Sequence, residues 1–205
     1  ETKIGPMIVP INERIKHVLK NTKNKDWLLK PKVKDNQILT PGIKWGITKE
    51  DFEYHKELFG PILCVMKADN LDEAIKLVNG SYFGLTSGLE SLSKKEVNHW
   101  KNKVRAGNLY ANRSTTGAIV QRQPFGGIKA SSFGFGMKAG GPNYIRQFIN
   151  IKAKKSSSLE IERSFKTIYK EHFSKEKDYS KTRGQHNIFR YRKASKIIIL
   201  IMNCL

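Results

Sequence analysis

Residues 61–112 constrain the fold more than any other part of the chain. The run "PILCVMKA", Pro61 to Ala68, is short and apolar, follows a Gly-Pro turn and precedes polar residues, so it predicts a buried strand. Asn70, with Glu73 three residues on, predicts the amino-terminal cap of a helix carrying Leu71, Ile75 and Val78 and stopping at Asn79-Gly80. Ser93 and Glu96 repeat the device as an S-x-x-E box before a helix with Val97, Trp100 and Val104 on one face, its end marked by Gly107. "NLYAN", Asn108 to Asn112, then predicts another strand. The order strand, helix, short element, helix, strand is that of an α/β domain with a largely parallel sheet.

Around this block the signals are weaker. Asn12 predicts a cap for a short helix bearing Ile15, Val18 and Leu19, and the stretch from Pro31 to Gly46 is broken by Pro31, Pro41 and Gly42. A glycine-rich region, Gly126 to Gly141, leads into "NYIRQFINI", read as a final strand whose open edge could pair with another copy. From Lys152 the composition turns to lysine and serine, giving a division into residues 1–151 and a trailing segment 152–205. That segment holds one amphipathic helix, Leu159 to Phe173, and a basic stretch from Lys181 to Lys193 with Phe189 and Tyr191 between arginines.

The formal charge of +20 invites a nucleic-acid reading, yet the lysines are spread along all 205 residues and rarely alternate with aromatic side chains. They read as solvated faces, with the basic tail as the strongest argument for the rival, a non-catalytic nucleic-acid-binding or oligomerisation module. Cys64 and Cys204 are far apart and form no metal-ligand cluster or disulfide framework, which suits a reducing, cytoplasmic setting. No secretory signal pattern opens the sequence, and the terminal "IIILIM" falls short of the ~20 apolar residues that cross a bilayer. That apolar end has no role beyond a liability to aggregate.

Three segments together resemble the carboxy-terminal part of an aldehyde dehydrogenase catalytic domain: "ELFGPILCVMKADNLDEAIKLVNGSYFGLTSGL", "AGNLYANR" and "PFGGIKASSFGFG". "GNLYANRSTTGAIVQRQPFGG" and "KAGGPNYIRQF" are most similar to the L-glutamate γ-semialdehyde (1-pyrroline-5-carboxylate) dehydrogenase branch, including the bifunctional proline utilization proteins. The resemblance extends from Thr2, in "TKIGPMIVPINERIKHVL", to Arg192, and is weaker over Asn21 to Ile47. It implies a partial α/β catalytic domain with a helical or irregular basic tail, NAD as cofactor, a small aldehyde as substrate, and a homo-oligomer or a missing amino-terminal half.

By the same resemblance, Glu57 accepts hydrogen bonds from the vicinal hydroxyls of the nicotinamide ribose, where two carboxylate oxygens match a diol. Phe59 packs near the nicotinamide. Gly117 and Ala118 receive the substrate's α-carboxylate on backbone N–H groups, which small side chains leave approachable. Phe125 packs along the aliphatic chain, and Ser114, Thr115 and Thr116 are candidates for added hydroxyl donors. Family chemistry uses a cysteine thiolate nucleophile and a glutamate base. The resemblance places both upstream of the "IGP" segment, so no catalytic residue is expected among residues 1–205 and the chain alone is expected not to turn over. Cys64 reads as an inert thiol within a strand. Ser132 departs from the common family pattern, which has glycine there, and leaves the local turn open.

Overall fold

The computed structural model describes residues 11–34, 38–133, 137–152 and 154–193. Early "IGP" residues, Gly134 to Gly136 of the glycine-rich motif, Cys204 and the apolar terminus lie outside the described residues. The elements in order are α1 (Glu13–Asn21), β1 (Trp27–Leu29), β2 (Val33–Lys34), β3 (Ile38–Leu39), β4 (Gly42–Trp45), α2 (Phe52–His55), β5 (Ile62–Val65) and α3 (Leu71–Gly80). There follow β6 (Phe83–Gly84), β7 (Thr86–Leu89), α4 (Lys94–Lys103), β8 (Asn108–Ala111), β9 (Ile128–Lys129), α5 (Ser158–Ile168), β10 (Lys177–Asp178) and β11 (Ile188–Phe189). The chain divides into two compact units, residues 1–115 with 127–136, and residues 116–126 with 137–205.

The first unit is built on two apolar clusters. In one, Ile11, Ile15 and Val18 of the α1 region meet Trp27, Leu39 and Leu58, with Ile62 and Cys64 of β5 packed against them. In the other, Ile75 of α3 meets Trp100 and Val104 of α4, flanked by Leu71, Leu89 and Leu109. Burying each such aliphatic side chain stabilises by about 1.5–3 kcal/mol, so these few contacts hold the helices to their strands. The expected caps form: Asn12 Oδ1 accepts from Ile15 N at 3.0 Å and Asn70 Oδ1 from Glu73 N at 2.9 Å. Ser93 Oγ accepts from Glu96 N at 3.3 Å, but the Glu96 carboxylate takes the Ser91 hydroxyl, so the box is only half made.

The sheets correct the expectation of a largely parallel architecture. β4–β5 and β7–β8 are parallel pairs, as the intervening helices require, whereas β1–β4, β2–β3 and β6–β9 are antiparallel. The largest sheet among the described residues has three strands, in the order β1-β4-β5. Of these, only β2–β3 closes a short loop, while β6–β9 joins distant segments, and apolar runs alone do not report strand direction. β5 is also less buried than its sequence predicts, with Leu63 exposed.

In the second unit, Tyr144 to Ile151 is not a strand. Tyr144–Phe148 is a 3-10 helix, because the Gly140-Gly141-Pro142 turn brings Tyr144 N onto Gly141 O at 3.1 Å and the Tyr144 and Phe148 rings meet edge to face at 5.6 Å. An edge for pairing with a second copy is therefore absent there. α5 opens on a full capping box, Ser157 with Glu160, and passes into a π-helical turn, Tyr169–Phe173. β10 and β11 form a hairpin whose loop hangs on Asp178: its carboxylate accepts from Lys181 N, Asn187 N and Ser180 N at 2.9–3.0 Å. Phe173, Tyr191, Phe189 and Tyr179 pack in series, with centroids 4.6, 5.2 and 6.1 Å apart. The aromatic side chains of the basic tail are thus engaged with one another.

Candidate functional site

In the first unit, α2 ends at His55 and the chain passes over the first cluster as Glu57-Leu58-Phe59-Gly60, with Leu58 alone of the four buried. Leu58 is buried in the first cluster, and its carbonyl accepts from Asn12 Nδ2 at 2.9 Å. Asn12 therefore caps α1 with one atom and ties down this turn with the other. Gly60 lies against Ile15 so closely that a Cβ there would overlap the Ile15 Cδ1 methyl. With Leu58 buried and Gly60 set against Ile15, Glu57 and Phe59 face solvent, and Phe59 is 69% exposed. Phe59 has φ +52°, a left-handed geometry that costs a non-glycine residue about 1–2 kcal/mol. Arg14 Nη1 donates to the Glu57 carbonyl at 2.7 Å and leaves the carboxylate out of that contact.

This turn thus presents a carboxylate and an aromatic ring two residues apart on an anchored backbone. Two carboxylate oxygens can accept from a pair of vicinal hydroxyls, and an exposed ring offers a flat apolar surface.

A further pairing in this unit steadies α2. Lys44 Nζ of β4 lies 2.8 Å from Glu53 Oε1 and 3.9 Å from Asp51 Oδ1, with the Lys44 and Glu53 side chains largely buried. Burial, with the Glu53 charge nearby, pushes the neighbouring Cys64 thiol up to about 11. The thiolate is thereby suppressed at neutral pH, and Cys64 is unsuited to act as a nucleophile. No cluster of metal-ligating side chains occurs among the described residues.

β8 carries the chain toward the second candidate region. Asn112, at φ +55°, closes the β7–β8 pair: its Nδ2 donates to Ser91 O at 2.9 Å and its Oδ1 accepts from Ser91 N at 2.8 Å. Past the loop, Gly127 packs against Ser131, and Lys129 Nζ donates to Asn79 O and Ser81 O at the end of α3. Ser132 follows in a tight turn, Ser132 N to Lys129 O at 3.2 Å, without positive φ, so a side chain is accommodated where the family commonly has glycine.

In the second unit, residues 116–126 form a loop laid on residues 137–141. Phe125 and Ala139 exchange both backbone hydrogen bonds, at 3.0 and 2.9 Å, and Gln121 N donates to Gly140 O at 2.9 Å. Gly140, at φ +73°, comes so close that a Cβ on it would meet Val120 Cα at 3.0 Å. Lys138 Nζ donates to Gly126 O at 2.8 Å, and burial lowers the Lys138 ammonium to about 8. Gly117 and Ala118 are exposed, and Phe125 is half-buried. Gly117 has φ +114°, a conformation open to glycine alone.

Of the expected residues, Glu57 and Phe59 thus share one turn of the first unit, and Gly117, Ala118 and Phe125 share one loop of the second. Sequence reasoning saw Asn12 only as a cap and passed over Gln123 and Lys138. Their signal, a polar side chain turned into the interior, exists only once burial is known.

The aldehyde dehydrogenase family model matches residues 1–154. A 1-pyrroline-5-carboxylate dehydrogenase of Oceanobacillus iheyensis is 42% identical over 97 residues, 47% of this chain and 18% of that protein. A second protein of that name, from Bacillus subtilis, is 39% identical over 104 residues, 51% of this chain and 19% of its own length. Among solved structures, proline utilization A from Corynebacterium freiburgense superimposes with a TM-score of 0.78 and 38% identity, over 91% of this chain and 22% of that one. A 1-pyrroline-5-carboxylate dehydrogenase from Thermus with bound NAD gives a TM-score of 0.58 and 31% identity over 66% of this chain and 26% of that one. The chain therefore spans about a fifth of the length of the curated relatives it matches.

Proposed function

The chain belongs to the aldehyde dehydrogenase family, and on that premise we propose that it is part of an NAD-dependent L-glutamate γ-semialdehyde (1-pyrroline-5-carboxylate) dehydrogenase of the proline utilization type. In this reading, residues 1–151 belong to the catalytic domain and 152–205 trail it. The observation that carries the proposal is the loop 116–126, where Gly117 and Ala118 are small and exposed, Gly117 has φ +114°, and Phe125 is half-buried eight residues on. A carboxylate on the backbone N–H groups of Gly117 and Ala118 directs the other end of a five-carbon amino-acid aldehyde along the loop, with Phe125 shielding its methylenes. Glu57 would hold the ribose hydroxyls of NAD and Phe59 would pack near its nicotinamide. When bound, that cofactor supplies the hydride acceptor.

Cys64, held as a thiol, is not the nucleophile in this reading. The chain contributes binding and orientation, and alone it is expected to produce no NADH from L-glutamate γ-semialdehyde.

Titrating the isotope-labelled 205-residue chain with L-glutamate, the product, tests the reading by NMR. The Gly117 and Ala118 amide resonances are expected to shift and saturate, and propionamide, which lacks a carboxylate, is expected to leave them in place. Equal responses to both compounds, or none to glutamate, would contradict it.

A further inference from the structure

Gln123 stands out among the loop residues because its polar side chain is turned inward. Residues 117–121 are exposed, whereas Gln123 is only 9% exposed. Its backbone closes the loop on itself, with Gln123 N donating to Ile119 O at 2.7 Å and Ile119 N to Gln123 O at 3.1 Å. Between them the chain reverses through Gln121 at φ +61°, and Arg122 N donates to Val120 O at 2.8 Å. The side chain reaches Gly117, its Oε1 lying 2.9 Å from where a Cβ on that residue would stand.

Gly117 is in a conformation that glycine tolerates but does not itself select, since glycine populates many others equally well. Something outside the residue must therefore choose φ +114°. A buried carboxamide is a strong means of doing so: it requires polar partners in the interior, and leaving it without them costs about 1–3 kcal/mol.

We infer that Gln123 is the positioning residue of the anion loop, its buried carboxamide holding Gly117 in the left-handed backbone that prepares the Gly117 and Ala118 N–H groups for a substrate carboxylate. The inference rests on the anion-binding reading of this loop. Gln123 is not catalytic: it acts through the backbone of Gly117. Its neutrality also matters, because an anionic oxygen at the same place would stand beside the carboxylate the loop is built to receive, and like charges this close disfavour each other.

Two near-isosteric variants of the full chain, titrated with L-glutamate and followed by NMR, test it. Gln123→Met keeps the volume and removes the polar group. It is expected to weaken binding at least fivefold and to move the Gly117 amide resonance in the absence of ligand, with resonances of the first unit unchanged. Gln123→Glu keeps the shape and adds charge, and is expected to weaken binding at least tenfold on the same unchanged background. A merely space-filling role would leave Gln123→Met binding like the parent chain, and that result overturns the inference while the anion-binding reading stands. Failure of the parent chain to bind glutamate, with Gly117 still displaced in Gln123→Met, would remove the reading and leave Gln123 as the residue that sets this backbone.

Discussion

At the scale of single residues, the two candidate regions share a design: an unusual backbone angle is held in place by a neighbour buried beneath it. Phe59 keeps φ +52° because Leu58 and Gly60 are pinned on either side of it. Phe59→Gly is expected to raise stability by about 1 kcal/mol in urea denaturation by relieving the left-handed geometry, while lowering affinity for NAD. Opposite signs on the two measurements would mark strain kept for binding. Gly117→Ala places a side chain at φ +114°, and a tenfold or greater loss of glutamate affinity is expected from isothermal titration. Lys138 adds a pH dependence. Burial lowers its folded-state pKa to about 8 from an ordinary 10.5, so the folded state binds fewer protons between those values. Stability against urea should therefore rise with pH from about 8 towards 10.5, and Lys138→Met should flatten that rise.

At the scale of elements, what the sequence disclosed depended on whether a signal was local. The caps at Asn12, Asn70 and Ser93 are made by neighbours three residues apart, and each helix starts where its cap predicts. Gly117, Ala118, Glu57 and Phe59 are singled out by motifs of the family resemblance, and their roles belong to the proposed function. Strand direction was not legible, because an apolar run such as "PILCVMKA" buries equally well in either sense. Tyr144 to Ile151 misled by composition: its β-branched and aromatic residues suit a strand, but the preceding Gly-Gly-Pro turn curls Tyr144–Phe148 into a 3-10 helix. Gln123 and Lys138 were invisible for a different reason, since nothing in their neighbours distinguishes an inward from an outward polar side chain. Two consequences belong here. Asn12→Ala removes both the α1 cap and the tie to Leu58, and is expected to cost about 2 kcal/mol, twice what a cap alone contributes. In the β10–β11 hairpin, N–H groups of Lys181 and Asn187 hold the Asp178 carboxyl at about 2, below its ordinary 3.8. That support is complete above the ordinary value and is lost as pH falls from about 4 towards 2, which the Asn187 amide resonance should follow in an acid titration.

At the scale of the whole molecule, the first unit is held by two small clusters, and large apolar side chains remain exposed in both units. Leu63 and Phe83 in the first, and Ile145, Phe148, Phe165 and Ile168 in the second, are exposed. Among the described residues no helix is long and apolar enough to cross a membrane. The similarity to proline utilization A covers 91% of the chain, beyond the 154 residues of the family match, so part of the trailing segment is shared with that structure as well. Under the proposed function, this chain supplies the substrate-orienting wall of a glutamate-semialdehyde dehydrogenase. The most direct test is a chimera in which the matching segment of the Bacillus subtilis 1-pyrroline-5-carboxylate dehydrogenase is replaced by that of this chain, assayed for NADH formation. The expected result is turnover of L-glutamate γ-semialdehyde in strong preference to propanal, with Gly117→Ala or Phe125→Ala erasing the preference by raising KM at least tenfold for the semialdehyde alone. A folded, NAD-binding chimera that oxidises propanal equally well, or whose preference survives both substitutions, would contradict it.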